Sequence, residues 1–390
     1  MLKNNIHLAV ERIANELPDP SEDMGLLTGE AGKALFYSYF SKLQGDNRFD
    51  DKIEASLVQV FDLINNGNLG TGFCSGLAGI VWCIEHLTSV ELLEVDLDLE
   101  AIWGLLEEAV IYHSKRGYFD FLQGANGIVY SLLQCKPDKS ERVITQWLEM
   151  LLYHAHKDKE GYVWDTILRK DSNQIVRNLS LSHGSSNTIL VLTETLKHFP
   201  DNKLALQLVE GAVCYLMNSK HRSGFNCCFP PYISPGEEPG QSRLAWCYGD
   251  LGNAVALWGA GKLLQRTEWM QCAIEVMLFS AGRKNLELEH VTDACFCHGS
   301  AGIAQAFNHF YHETGRPEFD LARMYWLDQT LAFGKRTGGI GGYLMDRGSE
   351  NAFVPEAGLL EGAAGVGMVL LDFLSEDKNR QGWDACFLLN

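Results

Sequence analysis

The chain has 390 residues, 46% of them hydrophobic, and a net charge of −18 from 32 basic and 50 acidic side chains. That excess of acid argues against nucleic acid and anionic membrane as principal partners. Eleven unevenly spaced cysteines fit free thiols in a reducing cytoplasm better than a disulfide framework.

The N-terminal segment, MLKNNIHLAVERIANELPDP, reads as an amphipathic helix with Ile6, Leu8, Ala9, Ile13 and Leu17 interleaved with polar residues. It lacks the basic start and continuous apolar run of a signal peptide. No later stretch reaches the roughly 18 to 20 apolar residues needed to span a bilayer.

Seven similar segments then follow along the chain. Aligned on their first glycine they begin at Gly29, Gly76, Gly124, Gly184, Gly249, Gly299 and Gly362, at intervals of 47 to 65 residues. Six have a second glycine three residues on; the fourth has Asn187. Each glycine step precedes a run rich in Ala, Ile, Val and Leu, the pattern of a helix buried on most sides. Glycine inside a helix costs about 1 kcal/mol. Seven repetitions call for a reason, and close helix packing or close backbone approach is the natural one.

Between these runs lie amphipathic segments such as DDKIEASLVQVFDLINNG and SERVITQWLEMLLYHAHKD, each with an apolar stripe at helical spacing. The expected fold is therefore all-α: seven hairpins of one amphipathic and one glycine-led helix, closed into an α/α toroid that occupies residues 1–390 as one domain. An open α-solenoid would expose a face of the apolar helices. Two stretches break the rhythm. Residues 157–180 alternate in character and suggest a hairpin. Residues 224–242, rich in Pro and Gly, read as a long loop.

If each glycine step opens a helix, the residues ahead of it converge at one end of the toroid. These are Asp120 with Gln123, Ser182 with His183, Arg243, Trp246 with Cys247, Cys297 with His298, and Glu361. Two thiolates and an imidazole, from Cys247, Cys297 and His298, are the donor set of a zinc site with an open fourth position. A thiol arriving there would be deprotonated. Nearby helix N-termini would favour the negative charge. Cys295 reads as a structural thiol, as do Cys74, Cys83, Cys135, Cys214, Cys272 and Cys386. Glu361 reads as a cap on a helix entrance. His154 and His156 read as surface residues of an amphipathic helix.

The combination W-C-Y-G at 246–249, C-H-G at 297–299, S-H-G at 182–184 and L-L-E-G at 359–362 resembles the lanthionine synthetase C-like (LanC) family. The resemblance runs through all seven glycine segments. It implies an α/α toroid with one catalytic zinc held by Cys247, Cys297 and His298. It assigns acid–base work to His183 and places Arg243 and Asp120 at family catalytic positions. The implied activity is a Michael-type addition of cysteine thiols to dehydroalanine or dehydrobutyrine, which closes thioether rings in a precursor peptide. No dehydratase-like segment is present, so the implied partners are a dehydrated precursor peptide and a separate dehydratase, with an exporter and a membrane-peripheral complex as further expectations. A family relative that joins glutathione to dehydro residues, or a peptide- or thiol-binding scaffold without activity, would share these motifs.

Overall fold

The computed structural model describes residues 2–67, 69–94, 99–169, 174–222, 224–348, 353–375 and 382–389. Along them run α1 (Leu2–Glu16), α2 (Glu30–Gln44), α3 (Asp50–Asn66), α4 (Leu77–Ser89), α5 (Glu100–Lys115), α6 (Ala125–Cys135) and α7 (Pro137–His154). They continue with α8 (Ser185–His198), α9 (Lys203–Asn218), α10 (Asp250–Leu263), α11 (Thr267–Ala281), α12 (Ser300–Thr314), α13 (Pro317–Phe333) and α14 (Ala363–Leu374). None of them is long and apolar enough to cross a membrane.

The sequence pattern explains the alternation. In α1, Ile6, Ala9, Val10, Ile13 and Ala14 form the buried stripe, while Leu8 faces out. The glycine-led helices bury nearly every residue; in α8, only the last two residues, Lys197 and His198, reach solvent. Proline supplies the first residue of α7 and of α13, where a missing N–H costs nothing. α2, α3 and α12 stop at left-handed Gly45, Gly67 and Gly315.

All seven first glycines sit at the N-cap of their helices. The loop ahead of each one folds back on the helix entrance. At five of the seven the first helical N–H donates to a carbonyl seven residues earlier: Glu30 to Asp23 at 2.9 Å, Leu77 to Gly70 at 2.8 Å, Ala125 to Tyr118 at 3.0 Å, Ser300 to Asp293 at 3.1 Å and Ala363 to Glu356 at 2.8 Å. The second glycine lies under the same loop. A Cβ on Gly79, Gly302 or Gly365 would stand 1.9, 1.8 and 1.8 Å from the carbonyl oxygens of Phe73, Phe296 and Leu359. The reason for the repeated glycines is thus the chain's own loop, six residues upstream, rather than helix–helix packing alone.

Strands are few. β1 (His156–Asp158) pairs antiparallel with β2 (Gly161–Val163). β3 (Asp165–Arg169), β4 (Gln174–Asn178) and β5 (Tyr232–Ile233) form a three-stranded antiparallel sheet in that order. β6 (Met345–Asp346) pairs with β7 (Phe353–Val354). The stretch 157–180 therefore holds two hairpins where one was expected, with residues 170–173 outside the described chain. The Pro/Gly-rich stretch 224–242 is mostly loop, and contributes β5 to the sheet.

The helices group into two compact units. One comprises Met1–Asp98 with His290–Phe387. In it α14 packs on α1 and α2, so the last repeat seats on the first. The Leu360 N–H donates to the Leu27 carbonyl at 2.8 Å, which ties these two repeats loop to loop. The ends of an open solenoid would not be joined in this way. The other unit comprises Leu99–Glu289 with Leu388–Asn390. There α6 packs on α5, α7 and α8, and α10 packs on α8 and α11. The Pro/Gly-rich loop is pinned in this unit by a buried charge cluster. The Asp250 carboxylate, at the entrance of α10, accepts the N–H groups of Cys228 and Phe229 and a 2.9 Å bond from Arg283. Arg283 also pairs with Glu289.

Candidate active site

The residues two places before the glycines are chained by backbone hydrogen bonds. In the first unit Cys297 donates to Leu360, Leu360 to Leu27 and Leu27 to Cys74, each at 2.8 Å. In the second unit Ser182, two places before Gly184, donates to the Cys247 carbonyl at 3.4 Å, and its neighbour Leu181 donates to the same carbonyl at 3.0 Å. This pairing sets the residues one place before neighbouring glycines side by side. His298 thereby meets Glu361, and His183 meets Tyr248.

His183 Nδ1 stands 2.5 Å from the Oδ2 of Asp120. The other carboxylate oxygen of Asp120 accepts the Gln123 N–H at 2.8 Å, which fixes the carboxylate. The His183 N–H donates to Ser180 Oγ at 3.0 Å. With Nδ1 held by Asp120, Nε2 is the ring nitrogen left to exchange a proton. Burial by itself lowers the imidazole pKa. The hydrogen bond and charge of Asp120, with Cys247 nearby, outweigh that and raise it above the ordinary 6.5. The Tyr248 ring lies 6.1 Å from the His183 ring, centroid to centroid. Burial pushes its phenol up, and the Asn178 hydrogen bond partly opposes this.

A cavity of about 1080 Å³ opens beside this pair, entirely within the second unit. Asp120, His183 and Tyr248 line one part; β3 and the end of α7 line another. His154 and His156 also line it; His154 is half-buried, and His156 is exposed, as expected of a surface residue. α7 ends at His154, and His156 lies in β1, 2.8 Å from Asp165. Arg243 is half-buried in the loop ahead of α10 and is not among the cavity's lining residues. Trp246, expected among the converging residues, is buried at 1% exposure.

In the first unit, donor atoms of Cys297, His298 and Glu361 lie within 4.8 Å of one another. A second group, Asp293, Cys295 and His298, meets the same limit. The two are not equivalent. Cys295 is fully buried, its sulfur accepts the His298 N–H at 3.4 Å, and burial together with Asp293 holds its thiol far above the usual range. Asp293 is committed as well: it accepts the N–H groups of Cys295 at 2.9 Å and Asp346 at 2.7 Å. That group shapes the loop. The soft sulfur and imidazole of Cys297 and His298 suit zinc. Glu361 pairs with Arg347 rather than with an N–H at the entrance of α14. Its carboxylate binds Arg347 at 2.5 Å and stands within ligand reach of Cys297 and His298.

Cys247 belongs to the second unit, 6% exposed, two residues before Gly249 as Cys297 is before Gly299. None of the eleven cysteines is paired in a disulfide; Cys214, expected in the core, is exposed. Tyr248 and Glu361 were legible only through register: each holds the place that His183 and His298 hold in their repeats.

The family described as "Lanthionine synthetase C-like protein" matches residues 20–388. A solved structure named "Nisin cyclase" superposes with a TM-score of 0.74 at 19% identity, covering 99% of this chain and 97% of that one. That likeness shows the fold, an α/α toroid. Among curated proteins none matches. With its seven glycine-led helices and the match over nearly its whole length, the chain belongs to the lanthionine synthetase C-like family.

Proposed function

We propose that the protein is a zinc-dependent cyclase that adds cysteine thiols to dehydroalanine or dehydrobutyrine residues of a precursor peptide, forming thioether rings. The observation that carries the reading is the Asp120–His183 pair, which lines a large cavity in a chain of this family. The name of the structural relative, a cyclase, supports the reaction class.

Cys297 and His298 would hold the metal, and the sequence motif assigns Cys247 as the third ligand. Zinc, when bound, would supply Lewis acidity that turns a substrate thiol into a thiolate near neutral pH, against an ordinary pKa of about 8.5. Thiolate sulfur bonds to the β-carbon of the dehydro residue, and the π pair moves toward the carbonyl as an enolate. His183 donates its Nε2 proton to the α-carbon, which completes the addition; the proton lost by the thiol balances it. Asp120 keeps Nδ1 engaged, so that Nε2 is the donor, and raises the basicity of the ring. Arg243 would stabilise the enolate. The dehydro residues would come from a dehydratase that acts on the peptide first.

The test is direct. Zinc-loaded protein is incubated with a dehydrated peptide that contains cysteine, and free thiols are counted by alkylation and mass spectrometry. Loss of alkylatable thiols without added mass supports ring closure. Full alkylation rules it out. A mass gain of glutathione, when glutathione is present, indicates the intermolecular reaction instead.

A further inference from the structure

The cavity beside His183 has a wall that acid–base chemistry does not need. Asp165, Thr166, Ile167 and Leu168 are four consecutive residues of β3, and all four line it. Successive strand side chains point to opposite faces. The ladder shifts register at Leu168, so the alternation holds for Asp165, Thr166 and Ile167; a cavity that touches all three lies along the strand's edge rather than over one face. β3 is the outer strand of its sheet, with β4 on one side and, among the described residues, no strand on the other. The strand holds no proline; its charges sit at its two ends, Asp165 and Arg169, and its bulge falls at Leu168, which leaves Thr166 and Ile167 as the regular, uncharged part of the edge.

The base of this hairpin is anchored. The Trp164 indole N–H donates to the Leu151 carbonyl of α7 at 2.9 Å, and Asp165 pairs with His156 at 2.8 Å. Farther along, Ile167 faces Ile175 across the ladder, and they are 59% and 53% exposed. Tyr153, at the end of α7, is 77% exposed and lines the same cavity. An open backbone edge flanked by apolar side chains is the arrangement to which an extended peptide adds as a further strand. The volume of about 1080 Å³ lies just above the ~300–1,000 Å³ range of small-molecule sites, so a tripeptide thiol would leave much of it unfilled.

We propose that β3 is the docking edge for the peptide substrate. An extended segment, apolar at alternate positions, pairs with the backbone of Asp165–Leu168, packs on Ile167, Ile175 and Tyr153, and leads along the cavity to the Asp120–His183 pair. This rests on the reading of the protein as a peptide cyclase. Backbone pairing gives affinity for an extended chain, and the apolar pair selects its side-chain pattern.

The test uses the full-length zinc-loaded protein and a linear synthetic peptide with valine at alternate positions, one cysteine, and serine in place of the dehydro residue, so that no reaction occurs. Affinity is read by fluorescence anisotropy, and backbone protection by hydrogen exchange. Ile167→Asp and Ile175→Asp, both at exposed positions, should each raise Kd about tenfold or more, where tenfold corresponds to about 1.4 kcal/mol. Phe279→Asp, on α11 away from the cavity, should bind as the wild type. Amides of 165–168 should exchange more slowly when the peptide is bound. Unchanged Kd in both isoleucine variants, or protection that leaves β3 untouched, overturns the proposal. So does displacement of the peptide by glutathione with the same protection pattern. If the protein binds the peptide at β3 yet closes no rings on a dehydrated peptide, the cyclase reading fails and the docking edge stands.

Discussion

Asp120 and His183 come from the loops of two successive repeats and meet at 2.5 Å, carboxylate oxygen to Nδ1. Each is held by its own loop: Asp120 by the Gln123 N–H and His183 through its N–H to Ser180. The pair is thus oriented before any substrate arrives, and its direction of titration is set by two opposed effects. Burial disfavours the imidazolium, and Asp120 favours it more strongly.

Asp120→Asn removes the stronger effect. In the metal-free protein, NMR titration should show the His183 pKa above 6.5 in the wild type and lowered in the variant. The linkage has a definite sign. A raised folded pKa contributes stability that is fully present below the unfolded value near 6.5 and is lost as pH rises through the folded value. Chemical denaturation across that window should show the loss in the wild type and little of it in Asp120→Asn. Ring formation should slow by ~10²-fold or more in the variant, within the range of acid–base contributions.

The glycines make a paired prediction. Gly302→Ala would place a Cβ 1.8 Å from the Phe296 carbonyl oxygen, so the loop ahead of α12 must move. Overpacking of this kind destabilises by about 1–3 kcal/mol. Gly104, exposed within α5, has no atom within 4 Å of the position a Cβ would take. Gly104→Ala should stabilise by about 0.5–1 kcal/mol. Denaturant midpoints of the two variants should therefore shift in opposite directions.

Arg283 neutralises two buried carboxylates, Asp250 and Glu289, and donates to the Ser242 carbonyl at 2.8 Å. Removing it leaves both carboxylates without their cation, a change that typically destabilises by about 3–5 kcal/mol. Arg283→Ala should lose stability on that scale in a denaturation experiment. Its first structural effect should be freer amide exchange at Cys228 and Phe229, which Asp250 holds.

The two cysteines flanking Phe296 should separate cleanly. Cys297→Ser removes a soft donor beside His298 and should lose zinc measured by elemental analysis. Cys295→Ser changes a buried thiol that braces the His298 N–H and should retain it. The opposite pattern would make Asp293, Cys295 and His298 the working group.

Much of this was legible in the sequence because the repeat is local. A glycine at an N-cap and another three residues on leave a mark within a single segment, and seven copies define the helices and their entrances. The repeat marked His183 and His298 as candidates one residue before its glycine, and Cys297 two residues before. What the sequence concealed depends on long-range pairing. Arg177 meets Ile233 in the sheet across the long loop, and nothing in either segment announces it. Glu361 resembled a helix cap because only the fold brings Arg347 to its carboxylate. That His154 and His156 line a cavity was hidden because its other wall, β3, follows them in the chain.

The central claim is that the loop tips carry two separable tasks, metal holding by Cys297 and His298 and proton transfer by His183. Zinc content and ring formation measured on the same preparations of wild type, His183→Ala and Cys297→Ala test it most directly. The expected result is zinc without rings in His183→Ala, and neither zinc nor rings in Cys297→Ala. Loss of zinc from His183→Ala, or rings formed by zinc-free Cys297→Ala, would contradict it.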